Sequence, residues 1–272
     1  MAGMFYIVAT PIGNLADISF RAVEVLKNAE YIACEDTRVT KILAEKYSIG
    51  AKLFDCHKFN EKERSGKIIE LLQNGKNVVL VSDAGTPGIS DPGGALLEEL
   101  YKNDVKITSI PGACAVTTFL SMVPRSTEEY VFIGFIPRVK KQQFEILSKH
   151  KNTNCVFYES PNRLLETLQN IKEKFGGDTK IAVGRELTKV FEEVKIGSVE
   201  EIINYYAENP LKGELVVMVF AKKQEQQSDE ELVEKIEILK KEGFSQKDIV
   251  KIVSKLFDVN KNKIYDLALI SK

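Results

Sequence analysis

The segment from residue 78 to residue 94 reads VVLVSDAGTPGISDPGG and joins a short apolar run to a glycine-rich loop. Its first four residues, Val78 to Val81, are apolar and mostly β-branched, which is typical of a central strand in a parallel sheet. From Ser82 the chain is polar, and Pro87 and Pro92 restrict the loop while its glycines allow close approach to the backbone. Ligands of open α/β sheets bind beyond the carboxyl ends of the strands, so this loop is the first candidate for a functional site. A purely structural turn is the alternative.

Two further loops follow strand-like runs. Thr10 to Asn14 comes after the run Met4 to Ala9, and Pro111 to Ala115 comes after the run Lys106 to Ile110. Three loops at one edge of a sheet would form one cleft. The chain has no G-x-G-x-x-G opening a helix and no G-x-x-x-x-G-K-[ST], which disfavours an ordinary dinucleotide fold and a P-loop.

Composition limits the class of protein. A chain of 272 residues with 44% hydrophobic content can bury a large core and has a length typical of about two domains. The formal net charge of −1 excludes a generally basic nucleic-acid binder, so any RNA contact requires a local patch. The four cysteines are scattered without a C-x-x-C pair, which predicts reduced thiols rather than a zinc site or disulfides.

No segment of the sequence is typical of a membrane protein. The apolar runs are shorter than the roughly 20 residues that span a bilayer. The amino terminus lacks a basic segment followed by a long apolar one, as a secretory signal would have. We therefore expect a cytoplasmic protein without membrane contact.

The order of elements predicts an α/β fold with two domains. In residues 1–123 strand-like and helix-like segments alternate, which predicts a mainly parallel sheet in an amino-terminal domain. A polar stretch after Val123 marks a boundary, and residues 124–222 form a second α/β domain with more strands, some of them able to pair antiparallel. Within it, Ser160 and Pro161 predict the cap and first turn of a helix.

The carboxyl-terminal part is predicted to be a helical appendage. Residues 222–228 are Lys, Gln, Glu and Ser, which is typical of a linker, and residues 229–272 carry apolar positions at helical spacing around a break at Gly243. Ser245 is a predicted helix cap. The short helices resemble a helix-turn-helix unit, and their lysines either contact RNA or form a solvated face.

Five ordered blocks of sequence together resemble a known family. They are Ala9 to Leu15 (ATPIGNL), Glu35 to Arg38 (EDTR), Ser82 to Gly93, Phe157 to Pro161 (FYESP) with Arg163, and Arg185 to Lys189 (RELTK). On these blocks the chain resembles, along nearly all its length, the tetrapyrrole methylase superfamily of S-adenosylmethionine-dependent enzymes. The second, fourth and fifth blocks point to its branch that methylates ribose in small-subunit ribosomal RNA.

The resemblance implies a tetrapyrrole-methylase-like fold, with the cofactor in a cleft between two α/β domains, and a homodimer. It implies S-adenosylmethionine as the methyl donor and no metal. The implied cofactor contacts are Pro11, Ser82, Asp83, Ala84, Gly85, Cys114, Ala115, Tyr158, Glu159 and Leu215. Asp83 either bonds the cofactor or caps its own loop.

The chain departs from the family pattern at a few positions. Cys114 stands where a serine hydroxyl is expected, so only a backbone contact to the cofactor would remain there. Asn162 stands where the family often has His, and the segment from Cys56 to Asn60 matches only in part.

The implied reaction is the in-line transfer of a methyl group from a sulfonium to the 2′ oxygen of a cytidine ribose. A 2′ hydroxyl is a weak acid, so either a general base removes its proton or alignment and electrostatics suffice. The candidate bases are Asp36, His57 and Glu186. His57 can equally be an ordinary loop residue beside Asp55, and Glu186 can be held in an ion pair with Arg185 or Lys189.

Arginine and lysine side chains in or near the matched blocks are the candidate RNA contacts, because guanidinium groups suit phosphates and stack on bases. They are Arg38, Arg138, Lys140, Arg163, Arg185 and Lys189, with Lys141 beside them. We expect the substrate to be naked small-subunit ribosomal RNA or the assembled small subunit.

Three other functions stay open. The first is a methyltransferase for a tetrapyrrole precursor, on which the arginine-bearing blocks would have no evident use. The second is a non-catalytic RNA-binding protein of ribosome assembly. Such a protein should have lost the residues of the cofactor loops, yet the loop residues Pro11, Asp83, Gly85 and Pro87 are present. The third is an unrelated nucleotide-binding enzyme of doubly wound type.

Overall fold

The structure is a computed structural model that describes residues 3–91, 93–125, 127–209, 211–222, 228–257 and 259–270. It divides into two compact units, residues 1–222 and residues 223–272. Pro92 of the first loop and residues 223–227 of the predicted linker lie outside the described residues. The predicted domain boundary after Val123 falls within the first unit and stays a prediction.

Strands and helices alternate in the first half of the first unit. In chain order they are β1 (Phe5–Val8), a 3-10 turn (Leu15–Asp17), α1 (Phe20–Asn28), β2 (Tyr31–Cys34), α2 (Thr37–Tyr47), β3 (Lys52–Asp55), α3 (Glu61–Gln73), β4 (Val78–Val81), α4 (Gly94–Lys102), β5 (Ile107–Ile110) and α5 (Ala115–Met122). The strands pair in parallel in the order β3-β2-β4-β1-β5. The predicted parallel sheet is therefore confirmed.

The strand β4 lies inside this sheet with both faces covered. Val79 and Val81 pack in one apolar core together with Leu26 and Ile32. Val78 and Leu80 pack in the core on the other face. Burial of both faces explains why the run is continuously apolar instead of alternating with polar residues.

The second half of the first unit carries another sheet. Its elements are β6 (Tyr130–Phe135), α6 (Lys140–Lys149), β7 (Asn154–Glu159), α7 (Pro161–Phe175), β8 (Lys180–Arg185), β9 (Glu193–Ser198), α8 (Val199–Glu208) and β10 (Leu215–Val219). The order is β6-β7-β10-β8-β9, with β6 and β7 parallel and the other pairs antiparallel. The expected antiparallel pairing is confirmed.

The helix α7 begins as predicted in one respect and differently in another. Pro161 occupies its first turn, where a missing N–H costs nothing. Ser160 is at the N-cap position, but its side chain makes no capping hydrogen bond. The predicted cap position is therefore confirmed, but the hydroxyl does not cap the helix; the N–H of Ser160 donates to Glu159 Oε1 at 2.7 Å.

The two sheets share an apolar core. Phe119 and Leu120 of α5 pack in one cluster with Val156, Val216 and Met218 of the second sheet. Phe119 is fully buried. A helix that follows the first sheet thus covers a face of the second, which keeps the two sheets in one compact unit.

The second unit is a helical unit with its own core. Its helices are α9 (Asp229–Lys241), α10 (Gln246–Leu256) and α11 (Lys261–Ile270). All three contribute to a buried cluster of Leu232, Ile236, Ile249, Val253, Ile264 and Ala268. Ser245 Oγ accepts a hydrogen bond from the N–H of Asp248 at 3.2 Å, so the predicted cap of α10 is confirmed.

Over the described residues, we find no helix with the length and apolar character needed to cross a membrane.

Candidate active site

Hydrogen bonds hold three loops together at the carboxyl edge of the first sheet. Thr10 and Gly85 exchange backbone hydrogen bonds of 2.9 and 3.0 Å. Thr86 Oγ1 donates to the carbonyl of Ala113 at 3.0 Å. Gly85 has a φ of 81°, a conformation that favours glycine. The loops meet because β4, β1 and β5 are neighbours in the sheet, which the sequence did not specify.

A cavity of about 300 Å³ lies between these loops and the second sheet. We call it cavity 1. It is mainly apolar, with the rings of Phe135 and Tyr158 in its wall, and its volume is within the range of small-molecule sites. Most of the predicted cofactor contacts line it: Ala84, Gly85, Cys114, Ala115, Tyr158, Glu159 and Leu215.

A second cavity, of about 240 Å³, adjoins the first, and we call it cavity 2. The remaining predicted cofactor contacts, Pro11, Ser82 and Asp83, line this one instead. Ile12, Ala84 and Glu214 line both cavities and mark their junction. The predicted cofactor residues therefore line two adjoining cavities rather than one.

Carboxyl groups beside these cavities have raised pKa values. Burial raises the pKa of Asp91, which lines cavity 1. Burial, together with the carboxylate of Asp36, raises the pKa of Asp83, although the N–H of Asp36 donates to Asp83 Oδ1 at 3.0 Å. Burial and then the charge of Asp83 raise the pKa of the neighbouring Glu35. A positively charged ligand would offset this concentration of negative charge.

Glu159 in the wall of cavity 1 is buried and fully hydrogen-bonded. Thr167 Oγ1 donates to Glu159 Oε2 at 2.6 Å, and the N–H of Ser160 donates to Oε1. Arg163 Nη1 lies 3.3 Å from Oε1, and Arg163 Nη2 donates to the carbonyl of Pro137 at 3.1 Å. Arg163 thus connects the wall of the cavity to the segment after β6.

Comparison with known proteins identifies the family. The profile of the tetrapyrrole (corrin/porphyrin) methylases matches residues 4–203. The chain belongs to the tetrapyrrole methylase family. Among its relatives, "Ribosomal RNA small subunit methyltransferase I" of Buchnera aphidicola subsp. Acyrthosiphon pisum is 38% identical over 98% of this chain and 96% of the relative. The protein of the same name from Bacillus subtilis is 39% identical over 97% and 93%.

Solved structures agree with the family at the level of the fold. The uroporphyrin-III-C-methyltransferase of Thermus thermophilus has a TM-score of 0.57 and 18% identity, covering 80% of this chain and 94% of that one. The predicted fold class is confirmed, and the alternative of an unrelated doubly wound enzyme is excluded. The chain is a methyltransferase of this family.

The candidate bases of this tetrapyrrole methylase do not line either cavity. Asp36 caps α2, and the hydrogen bonds from the Arg38 side chain lower its pKa to about 2. His57 Nε2 lies 4.0 Å from Asp55 Oδ2, and its Nδ1 is buried without a hydrogen-bond partner among the described residues. Among the described residues, no hydrogen bond or ion pair joins any two of Asp36, His57 and Glu186, and their catalytic role stays a prediction.

Glu186 is engaged in a cluster at the rim of cavity 2. Its Oε1 accepts hydrogen bonds from Lys189 Nζ at 2.8 Å and from the N–H of Glu214 at 3.0 Å. Burial alone would raise its pKa, but these bonds from Lys189 and Glu214 leave it lowered. Lys189 Nζ also contacts Glu214 Oε2 at 3.1 Å and lines cavity 2. Lys189 is therefore the ion-pair partner of Glu186 and places a positive charge at this cavity.

The other predicted RNA contacts have varied surroundings. Arg38 is exposed and paired with Asp36, and Lys140 Nζ lies 2.5 Å from Glu173 Oε2. Arg185 Nε donates to the carbonyl of Lys212 at 3.1 Å. Arg138 is exposed and forms no ion pair with the described residues. Arg163 is bound to Glu159, so its side chain supports the cavity wall.

Sequence reasoning missed some residues of the site. Asp91 and Thr86 were in the quoted loop, but nothing in the pattern distinguished them as lining residues. Glu214 lies just before β10 without a recognisable motif, and only the antiparallel pairing of β10 with β7 and β8 brings it to the junction.

The structure gives no arrangement typical of a metal site within the described ranges, where no three His, Cys, Asp or Glu residues are grouped to hold an ion. Cys34, Cys56, Cys114 and Cys155 are free.

Proposed function

We propose that the chain methylates the 2′ oxygen of a cytidine ribose in small-subunit ribosomal RNA, with S-adenosylmethionine as methyl donor. The observation that carries this proposal is the pair of adjoining cavities that share Ile12, Ala84 and Glu214 as lining residues. A group transfer between two substrates requires two sites that meet at the reacting atoms. Cavity 1 is assigned to the cofactor and cavity 2 to the ribose.

The residues of cavity 1 fit this cofactor. When bound, S-adenosylmethionine supplies a methyl group activated by a positively charged sulfonium. Asp91 in cavity 1, and Asp83 of cavity 2 next to the shared residue Ala84, have charged forms that burial disfavours, and both would stabilise such a positive charge. The rings of Tyr158 and Phe135 offer flat apolar surfaces for a purine.

The residues of cavity 2 fit a hydroxyl acceptor. Lys189 Nζ is fixed by Glu186 and Glu214, so it can stabilise the negative charge that develops on the attacking oxygen without reorganising. Its side chain is 28% exposed, which leaves the group accessible to a substrate. This assigns Lys189 to the acceptor, whereas Arg163 contributes through the wall of cavity 1.

The choice of RNA rests on relatives named for ribosomal RNA, which are about 38% identical over nearly the whole chain. The structures of tetrapyrrole enzymes resemble this chain at 18 to 20% identity, which supports only the fold. A tetrapyrrole-precursor methyltransferase and a non-catalytic assembly protein are therefore the less supported functions. We further propose a cytoplasmic homodimer that acts on naked RNA or the assembled small subunit.

A test compares acceptors directly. Purified protein is incubated with methyl-labelled S-adenosylmethionine and, separately, with small ribosomal subunits lacking the modification, with protein-free ribosomal RNA, and with a tetrapyrrole precursor. We expect label in one of the ribosomal samples and none in the macrocycle. Label only in the macrocycle, or in no acceptor despite cofactor binding, would contradict the proposal.

A variant at the junction links the activity to the cavities. Ala84→Leu should fill the space that both cavities share and abolish methyl transfer. The matched control is Ala95→Leu, which adds the same atoms at an exposed position of α4. Equal activity of the two variants would contradict the assignment of the cavities.

A further inference from the structure

A groove on the second unit is lined by seven residues, of which four are lysines. Lys247, Lys251 and Lys255 lie along one face of α10, and Lys261 of α11 faces the same groove. Gln246, Val250 and Tyr265 complete the lining. We call this surface the lysine groove.

The charges of the lysine groove are not neutralised within the structure. Its lining contains no carboxylate, and none of its four lysines forms an ion pair with a described residue. Lys263 on α11, by contrast, binds Asp229 Oδ1 at 2.7 Å. The one acidic residue of α10, Asp248, is bound by its own cap Ser245 at 2.6 Å.

The acidic residues of this unit are concentrated on a different helix. α9 carries Asp229, Glu230, Glu231, Glu234 and Glu237, whereas α10 and α11 carry one aspartate each. A solvated lysine face is usually interspersed with acids at helical spacing. Because the acidic residues and these lysines lie on different helices, the groove has a positive electrostatic potential although the whole chain has a net charge of −1.

The spacing of the lysines suits a chain of phosphates. Residues four apart on a helix rise by about 6 Å, so Lys247, Lys251 and Lys255 form a row about 12 Å long. Such a row presents successive charges along a line, as successive phosphates of one nucleic-acid strand do. An isolated small anion would use only one or two of these charges.

Tyr265 favours a nucleic acid over an acidic protein as the partner. Tyr265 is 49% exposed, so part of its ring is accessible at the groove. Aromatic rings beside positive charges are typical of surfaces that bind single-stranded nucleic acid by stacking a base.

We propose that the lysine groove binds the phosphate backbone of RNA and that Tyr265 stacks on a base there. This rests on the proposed function, because RNA would then be the substrate of the same chain. The groove contributes affinity for the RNA, while the two cavities perform the transfer.

The test neutralises the row and compares it with a matched control in the full-length protein. One variant carries Lys247→Gln, Lys251→Gln and Lys255→Gln. The control carries Lys27→Gln in the last turn of α1, Lys106→Gln just before β5 and Lys149→Gln in the last turn of α6. These lysines are exposed and form no ion pair with a described residue. Both variants change the net charge by the same amount.

Binding to small-subunit ribosomal RNA is measured by filter binding at several salt concentrations. Three lost phosphate contacts lower the slope of log K against log salt by about 2 for single-stranded RNA. Between 50 and 200 mM salt, the affinity of the wild type should therefore fall about 20-fold more than that of the groove variant. In methylation, the groove variant should raise KM and keep kcat, and its cofactor Kd should equal that of the control.

The outcomes separate this inference from the proposed function. A groove variant with the salt slope and KM of the control overturns the inference while methylation stands. RNA binding that depends on the groove, without any methylation by the wild type, overturns the proposed function alone. Loss of binding to an acidic ribosomal protein, with RNA binding intact, would also overturn the inference and reassign the groove.

Tyr265 provides an independent test of stacking. Tyr265→Ala should weaken RNA binding by about tenfold, whereas Tyr265→Phe keeps the ring and should bind as the wild type does. Equal affinities of the two variants would contradict the stacking role.

Discussion

Replacement of Arg163 by alanine tests whether this arginine supports the cavity wall or contacts RNA. Its guanidinium lies 3.3 Å from the fully buried carboxylate of Glu159 and is itself 24% exposed. The ion pair of this partly exposed arginine contributes up to about 1 kcal/mol, and the hydrogen bond that Arg163 Nη2 donates to the carbonyl of Pro137 adds about 1 kcal/mol. Thr167 and the N–H of Ser160 continue to bind Glu159 in the variant. We therefore expect Arg163→Ala to lower the free energy of unfolding by about 1 to 2 kcal/mol.

The same change should weaken cofactor binding. Glu159, Ser160 and Pro161 line cavity 1. If this wall is less well ordered in the variant, a smaller fraction of the molecules has the conformation that binds the cofactor. A loss of 1.4 kcal/mol corresponds to a tenfold change, so the cofactor Kd should rise by up to about tenfold. Titration calorimetry measures the Kd, and urea unfolding followed by circular dichroism measures the stability.

Two further variants sharpen the result. Arg138→Ala removes an exposed arginine without an ion pair among the described residues and should change stability by less than about 0.5 kcal/mol. Glu159→Gln should cost less in the Arg163→Ala background than alone, because the two side chains act as a pair. The reasoning is refuted if Arg163→Ala raises only the KM for RNA and leaves the unfolding curve and the cofactor Kd unchanged.

Three more predictions concern other parts of the site. Burial raises the pKa values of Asp83 and Asp91, and a positively charged cofactor should lower them again. Binding should therefore release protons and tighten as pH rises above the ordinary carboxyl pKa of about 3.9. Calorimetry over a pH series that begins near this value measures the effect, and a pH-independent Kd would contradict it. Lys189→Met removes one donor that stabilises the attacking oxygen, so kcat in a methylation assay should fall by about 100-fold with little change in cofactor Kd. Lys189→Arg should recover part of the lost kcat. An unchanged kcat in Lys189→Met would exclude a role of Lys189 at the acceptor. Gly184→Ala places a Cβ 2.6 Å from the ring of Phe119, so it should lower the free energy of unfolding in urea by about 1 to 3 kcal/mol. Adding Phe119→Leu should recover part of this loss. Additive effects of the two changes would mean that the residues do not touch.

The sequence predicted most elements of the fold because local signals agree with the final packing. The run from Val78 to Val81 is apolar because both faces of its strand are covered, and Pro161 begins a helix because its lost N–H has no partner there. The order of the strands depends on distant contacts, such as those that place β10 between β7 and β8, and no local pattern encodes them.

The site was predictable where it consists of short motifs that form loops. Gly85 and Asp83 lie where the motif placed them, beside the cavities. Side-chain partners across elements were not predictable. The sequence did not indicate the ion pair of Arg163 with Glu159, and Glu214 reaches the junction only through tertiary packing. The RNA contact of Arg163 stays a prediction. Sequence spacing fixes which residues neighbour each other on a helix, but it does not fix what packs against them.

The identity of the methylated atom tests the central claim most directly. Small subunits lacking the modification are treated with the protein and methyl-labelled S-adenosylmethionine, and the RNA is digested to nucleosides for mass spectrometry. The proposed function, with Lys189 stabilising the acceptor oxygen, predicts label in 2′-O-methylcytidine. Label on a base, or its absence from RNA although the protein binds the cofactor, would contradict it.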